Sequence, residues 1–273
     1  MKPENSLILF VICMLGLSSV AVGKHRSSGS HHRSSRSHHH SSSLYRNYRP
    51  VLSFFGGAAR MNPSRSQTYL GTDNNLFSYE SQNENNTTGL VGAFLGVEHP
   101  LPHSHFLTQT GIQYTQYAST NVNAPHIVGI DPNTSTLHNY RYNFRGRQLL
   151  LVAKFLTTVN KKYHPYISVG VGASFNTMGH FNTSTTETGS INLAPTFNSN
   201  THRAFSYSLG LGMDTTVSKH VRIGLGYQFT DLGSASLANG GVVFNNYTSP
   251  VPFIPRLSHV YVNQLIAEIS YLV

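Results

Sequence analysis

The sequence predicts an all-β fold: an eight-stranded antiparallel up-and-down transmembrane β-barrel, preceded by a disordered His/Ser/Arg-rich tail. Three observations predict it. The 273-residue chain begins with an export signal. Several segments of about ten residues alternate between apolar side chains and small or polar ones. The connections between these segments are long and short in turn. The predicted divisions are a signal peptide at 1–23, a basic tail at 24–49 and a barrel at 50–273.

The first 23 residues have the organisation of a secretory signal peptide. Lys2 supplies positive charge, and LILFVICMLGL (7–17) is an apolar core too short to span a bilayer as a helix. Small residues at 21–23 form a cleavage site, so Lys24 is expected to begin the mature chain. The single cysteine, Cys13, lies in this core, and the mature chain is therefore expected to contain no disulfide.

The tail carries most of the charge. Residues 24–43 contain only Lys, Arg, His, Ser and Gly, a composition that buries nothing and predicts disorder. Residues 24–49 hold six basic residues and no acid, whereas the chain from residue 50 onward holds twelve basic and nine acidic residues. The net charge of +9 therefore belongs mainly to the tail, and a nucleic-acid partner is not predicted.

Six imidazoles in the tail suggest a metal hypothesis. Imidazole binds Zn, Ni and Cu, so the tail can capture Zn²⁺ or Ni²⁺. The alternative is a solvated linker that touches anionic envelope polymers, because no spacing fixes a coordination geometry and no cysteine or carboxylate joins the histidines. The candidate ligands are His25, His31, His32, His38, His39 and His40.

Four segments show the strongest alternation. In VRIGLGYQFT (221–230), one face is Val, Ile, Leu, Tyr and Phe, and the other is Arg, Gly, Gln and Thr. The same division recurs in PYISVGVGASF (165–175), AFSYSLGLGMDT (204–215) and NQLIAEISYLV (263–273). Each is long enough to cross a bilayer as a tilted strand. We expect the apolar face to meet lipid and the glycine-and-serine face to line a narrow barrel.

Four weaker segments complete the set of eight strands. They are VLSFFGGAAR (51–60), GLVGAFLGVEH (89–99), FLTQTGIQYTQY (106–117) and YRYNFRGRQLLLVAKF (140–155). In the last segment the apolar residues from Leu149 onward lie on one face, whereas the aromatic residues from Tyr140 to Phe144 lie on the other. A bulge near Gly146, or a strand that runs past the membrane, would reconcile the two patterns.

The connections predict the orientation. Outer-membrane barrels combine long extracellular loops with short periplasmic turns, and an even number of strands places both termini in the periplasm. A soluble barrel or sandwich would show the same alternation with its apolar face inside, but the signal peptide and the connection rhythm favour the membrane. The long connections are 61–88, 118–139, 176–203 and 231–259, and the short ones are 100–105, 156–164 and 216–220.

The set of strands resembles the eight-stranded outer-membrane barrels of the opacity-protein and outer membrane protein A type. The resemblance rests on PYISVGVGASF, YSLGLGMD, RIGLGYQF and the closing strand, and it covers residues 50–273. It implies a bacterial outer-membrane location, with lipid and lipopolysaccharide around the barrel and the barrel-assembly machinery as a partner. That machinery usually reads a C-terminal Phe in this family, whereas this chain has Val273, with Tyr271 two residues before it.

Five charged residues fall on the glycine face, in its periplasmic half. We expect Asp214 and Arg222 to be neighbours across the turn 216–220, and Lys154 to face Glu268. Because charge in a narrow interior is costly unless it is paired, a salt-bridged plug with poor conduction is predicted. The predicted cluster is Glu98, Lys154, Asp214, Arg222 and Glu268.

Aromatic side chains have two expected roles. The ring of Phe94 is expected to fill the volume left by inward glycines such as Gly210 and Gly212. Because the chain has no Trp, Tyr and Phe are expected to form the girdles at both membrane interfaces, with Tyr166 and Tyr271 at the periplasmic one.

The outer rim gives a weak case for catalysis. A lipid-modifying site would need serine, histidine and acid side chains together. Asp231 and His259 are expected to approach each other, but Ser258 should point to the opposite face of its strand. We therefore predict a non-catalytic protein with no cofactor apart from the metal hypothesis of the tail.

The long connections are rich in Asn, Ser and Thr, and surface loops of this kind are where recognition resides. The predicted function is surface interaction or adhesion through four loops, with a contribution to envelope integrity and with a host or surface ligand as partner. The alternatives are a small diffusion channel and metal capture by the tail.

Overall fold

The computed structural model describes residues 48–71, 76–81, 86–101, 106–129, 136–185, 194–244 and 247–273. The predicted signal peptide and almost all of the predicted tail, including its six histidines, lie outside these ranges. All regular secondary structure in the described residues is β, and they include no helix that could span a membrane.

The strands vary widely in length. They are β1 (Arg49–Met61), β2 (Gln67–Leu70), β3 (Leu76–Tyr79), β4 (Asn86–Pro100), β5 (Phe106–Tyr117), β6 (Thr120–Val128), β7 (Thr136–Thr157), β8 (Tyr163–Thr185), β9 (Thr196–Phe197), β10 (Asn200–Thr216), β11 (Val221–Asp231), β12 (Ala235–Ser236), β13 (Gly240–Phe244), β14 (Tyr247–Pro250), β15 (Arg256–Leu257) and β16 (Tyr261–Leu272).

Eight of these strands pair in a closed antiparallel ring. The order is β1, β4, β5, β7, β8, β10, β11 and β16, and β16 pairs again with β1. The ring therefore has no free edge, as a strand set in lipid requires. The eight predicted segments each correspond to one of these strands, so the sequence-based prediction of an eight-stranded antiparallel barrel is confirmed.

Side chains alternate across the barrel wall. The outward residues Leu225, Leu95 and Leu265 are 71%, 66% and 65% exposed, whereas inward Ser53 and Thr230 are completely buried. An apolar exterior around a polar interior is the arrangement of a barrel in lipid and the reverse of a soluble one.

The two ends of the barrel differ. At one end, Val51 of β1 pairs with Leu272 of β16, and the connections after β4, β7 and β10 span only 101–105, 158–162 and 217–220. We call this the short-turn end. At the other, extended end, β7 and β8 reach 22 and 23 residues, about twice what a membrane crossing needs.

The extended end is folded β structure, whereas the sequence predicted loops. The outer half of β7 pairs with β6, β6 pairs with β3, and β3 pairs with β2. Two smaller sheets, β12–β15 and β14–β13–β9, accompany them. We call the described residues of the four long connections, with the outer ends of β7, β8 and β10, the cap.

The apolar residues of β7 change from one face of the strand to the other because the strand leaves the membrane. Tyr140, Tyr142 and Phe144 are buried on the same side of the strand as the lumen-facing residues, because β7 runs past the barrel into the cap. The bulge lies in β8 and not at Gly146 of β7. Between Arg141 and Asn143 of β7 the partner strand β8 has one extra residue, and His180 of β8, in this stretch, has a left-handed φ of 52°.

The cap has a core of aromatic side chains. Tyr79 lies near its centre, with its ring 3.9 Å from that of His126 and 5.4 Å from that of Tyr140. Aromatic contacts of this kind contribute beyond the area they bury. Further members of the same core are Phe77, Tyr142, Phe144, Phe197, Phe253 and Leu257.

Inward glycines make room for long side chains from the same or nearby strands, and not for the predicted partner across the lumen. Phe94 lies over Gly96 and Gly111 instead of Gly210. The side chain over Gly212 and Gly226 is Tyr166, expected at the lipid interface but found in the lumen. Sequence alternation gives the face of each residue but not the direction in which an inward side chain leans along the barrel wall.

The glycine contacts predict a difference between two neighbouring substitutions. A Cβ at Gly212 would lie 2.5 Å from the backbone oxygen of Leu225, whereas one at Gly210 would mainly meet the movable hydroxyl of Ser168. We therefore expect Gly212→Ala to lower the yield of the folded, heat-modifiable gel band, and Gly210→Ala to lower it much less. Equal yields would contradict the backbone clash.

Candidate functional site

A cluster of buried charges occupies the lumen near the short-turn end. The ammonium of Lys154 lies 2.8 Å from a carboxylate oxygen of Asp214 and 3.2 Å from one of Glu268. The same ammonium lies 3.9 Å from the ring centroid of Tyr166, a cation–π contact. One cation from β7 therefore links the acids of β10 and β16 across the barrel.

A second ion pair joins β11 to β4. The guanidinium of Arg222 binds the Glu98 carboxylate in a bidentate manner: Nη1 donates to Oε2, and Nη2 donates to Oε1 at 3.1 Å. Gln109 also donates to Glu98 at 2.8 Å. A two-pronged Arg–carboxylate pair is among the stronger polar contacts in proteins.

The pairing differs from the sequence-based expectation in one respect. Asp214 and Arg222 lie on adjacent strands, but neither bonds the other in the structure, because Lys154 binds Asp214 and Glu98 binds Arg222. Lys154 does lie beside Glu268. The structure thus brings all five residues of the predicted cluster into two groups that hold three carboxylates and two cations.

The lumen between the charges and the cap is also filled. Gln264 donates to Thr230 at 3.1 Å, and Gln148 donates to Ser206 at 2.6 Å. A cavity of about 40 Å³, lined in part by Phe94, has room for only a few waters. These contacts form a packed interior and not an aqueous bore.

Histidine is part of the cap core. His126 is completely buried, and its Nδ1 donates to the carbonyl of Ser78 at 3.0 Å. Its Nε2 has no hydrogen-bond partner among the described residues. Burial lowers the pKa of His126 from 6.5 to about 4, so the ring is neutral at pH 7. Burial likewise raises the pKa of Tyr140 to about 12.

The rim holds the acid–histidine pair that the sequence suggested. Nδ1 of His259 lies 2.8 Å from a carboxylate oxygen of Asp231, whose other oxygen accepts from the backbone N–H of Gly233 at 2.7 Å. The hydroxyl of Ser258 accepts a hydrogen bond from Arg65 at 2.6 Å, and the structure does not bring it to the histidine. The Asp231–His259 pair anchors the end of β11, and Ser258 does not complete an acyl-transfer site with it.

A row of aromatic side chains, which we call the aromatic girdle, lies on the lipid side of β10, β11 and β16 near the extended end. Ring centroids of Phe205, Tyr207, Phe229 and Tyr261 follow one another at 6.5, 6.5 and 5.8 Å. Aromatic rings of this kind collect at the level of lipid headgroups, so the girdle marks where the apolar band ends.

The tail histidines lie outside the described residues. Within the described ranges there is no group of three or more His, Cys, Asp or Glu side chains that could hold a metal ion.

Sequence reasoning missed the cap core, although short alternations such as LFSY (76–79), with Phe77 and Tyr79 buried, carried its signal.

The structure was compared with solved structures, and several bacterial outer-membrane proteins are similar to it in fold. No curated protein matches. The solved structure of outer membrane protein OprG from Pseudomonas aeruginosa is 11% identical, covering 83% of this chain and 97% of that chain, with a TM-score of 0.42. Neisserial surface protein A is 11% identical, with 81% and 96% covered and a TM-score of 0.37. The outer membrane protease OmpT from Escherichia coli is 9% identical, with 84% and 98% covered and a TM-score of 0.41.

The family assignment comes from the sequence. Residues 50–249, most of the chain, match the family described as outer membrane protein beta-barrel domain. The closed ring of eight strands, the apolar exterior and the aromatic girdle agree with that match. The chain therefore belongs to the outer membrane protein β-barrel family of bacterial outer-membrane proteins.

Proposed function

We propose that this protein is a non-catalytic surface protein, in which a sealed barrel anchors a rigid β-structured cap on the outside of the cell. The observation that carries the proposal is the aromatic cap core. Irregular loops would need no such core, whereas a recognition surface benefits from a fixed shape that loses little conformational entropy when it binds. The filled lumen supports a role in anchoring over a role in diffusion.

The proposed orientation places the cap outside and the short-turn end in the periplasm. Outer-membrane barrels have short periplasmic turns and longer extracellular connections. Arg49 and Val273 lie at the short-turn end, so both ends of the barrel sequence would face the periplasm. The barrel-assembly machinery and lipopolysaccharide are the envelope partners that this orientation predicts, and a surface ligand would meet the cap.

Whole-cell labelling tests the orientation. We expect an epitope tag inserted at Asn239, an exposed cap residue, to be reached by antibody on intact cells. Tags at Asn160 or Lys219, in the short turns, should become reachable only after the outer membrane is permeabilised. The opposite pattern would place the cap in the periplasm and overturn the proposal.

A further inference from the structure

A patch of arginine side chains lies directly beyond the apolar band on β7, β8 and β10. Strand register aligns Arg147, Phe175 and Arg203 in one row across the three strands. The next row outward is Arg145, Thr177 and Thr201. We call these six residues the arginine patch. The row on the other side is Leu149, Ala173 and Phe205, which begins the lipid-facing surface.

The patch has an ordered geometry. Adjacent strands lie about 4.8 Å apart, and residues two apart in a strand about 6.8 Å, so the backbones of the three arginines lie within roughly 12 Å of one another. The guanidinium of Arg203 lies 5.6 Å from the ring centroid of Phe175. The hydroxyls of Thr177 and Thr201 are hydrogen-bonded to each other at 2.9 Å.

Among the described residues, no acidic side chain pairs with the arginines of the patch. The ion pairs among the described residues involve Lys154, Arg222 and His259, and none of the three patch arginines. Neither β7 nor β8 contains an acidic residue, and the only one in β10, Asp214, lies in the lumen. All three arginine side chains are exposed.

Position and chemistry together define the ligand. The aromatic girdle, which includes Phe205, marks the level of the lipid headgroups, and the arginine patch lies one row beyond it. Arginine binds phosphate oxygens through a planar fork, and a guanidinium stacked on a ring is already oriented. We propose that the arginine patch binds phosphate groups on the saccharide headgroup of lipopolysaccharide in the outer leaflet.

The proposal rests on the cap facing outward, because lipopolysaccharide occupies that leaflet. In the opposite orientation the same arginines would meet phospholipid phosphates. The labelling experiment above decides the orientation independently, so failure of the proposed function and failure of the lipid site can be distinguished.

The test measures lipopolysaccharide binding by the full chain. Wild type and the variant R145Q/R147Q/R203Q are folded in neutral detergent and titrated with fluorescent lipopolysaccharide at about 50 mM salt, where screening is weak. We expect the variant to bind on the order of tenfold more weakly, because three charge-assisted contacts are lost. Heat-modifiable gel mobility checks that each variant is folded.

A matched control removes the same charge elsewhere. Arg65, Arg141 and Arg256 are also exposed but lie in the cap, outside the patch. R65Q/R141Q/R256Q should bind within about twofold of wild type, since these three arginines lie outside the patch and make none of its charge-assisted contacts with phosphate. Equal weakening by both triple variants would reduce the effect to general surface charge and overturn the proposal.

Two further binding measurements test whether the phosphates of lipopolysaccharide are the groups that the patch binds. Dephosphorylated lipopolysaccharide should bind wild type and R145Q/R147Q/R203Q alike, because the contacts that distinguish them are to phosphate. Vesicles of phosphatidylglycerol should compete poorly against intact lipopolysaccharide. Undiminished binding of the dephosphorylated form, or full competition by phosphatidylglycerol, would exclude a lipopolysaccharide phosphate site.

Discussion

Replacing Lys154 by methionine should destabilise the folded barrel by about 3–5 kcal/mol, because it leaves two buried carboxylates without their cation. Asp214 and Glu268 both lie beside this ammonium, at 2.8 and 3.2 Å. Methionine keeps most of the side-chain volume, so the effect reports charge and not a cavity. Urea unfolding in lipid vesicles, followed by tyrosine fluorescence or gel mobility, measures the free energy of unfolding.

Two variants separate pairing from packing. K154M/D214N/E268Q removes the whole charged group and should recover much of the loss, since neutral partners need no counter-ion. K162M removes a lysine in an exposed short turn and should change stability little. If K154M were as stable as K162M, the ion pairs of Lys154 with Asp214 and Glu268 would contribute nothing to the stability of the barrel.

The same cluster governs conduction. We expect wild type to show only low, irregular conductance in planar bilayers, because ion pairs and glutamine side chains fill the lumen. K154A/R222A would leave three carboxylates unpaired, draw water into the lumen and raise cation conductance. A large, steady conductance in the unmutated protein would favour the diffusion channel over the sealed anchor.

The barrel strands were predictable because their signal is local. Alternation across ten residues, as in 221–230, directly reports a lipid face and a lumen face, and the observed strand covers 221–231. The connection rhythm predicted which connections are short, and those after β4, β7 and β10 are short in the structure. Both signals depend on the membrane, which imposes length and alternation on every strand that crosses it.

The cap was not predictable in the same way, because its core comes from distant segments. Phe77 of β3 and His126 of β6 meet only after those strands pair, and β3 is only four residues long. The partner of Asp214 was missed for a related reason. Register places Arg222 nearby, but the long side chain of Lys154 reaches the acid across the lumen.

The cap should loosen in acid while the barrel persists. His126 is neutral and buried, and its pKa is lowered from 6.5 to about 4. The unfolded cap therefore binds a proton more readily than the folded cap between these values. The stabilising contribution is fully present above pH 6.5 and falls away as pH drops toward 4. At about 1.4 kcal/mol per pKa unit, the loss approaches about 3 kcal/mol at pH 4.

Limited proteolysis of the protein in vesicles at pH 7 and pH 4.5 measures the effect, with cleavage in the cap read by mass spectrometry. The charged ring would face Tyr79, Phe77 and the second histidine, His138, whose ring centroid lies 6.0 Å away. His126→Phe keeps an aromatic ring without a titrating group, so its cap should resist acid better than wild type. His220→Phe, in the exposed short turn at the other end of the barrel, is the matched control and should keep the wild-type response. A cap that H126F leaves equally acid-sensitive would show that another group, and not His126, senses the proton.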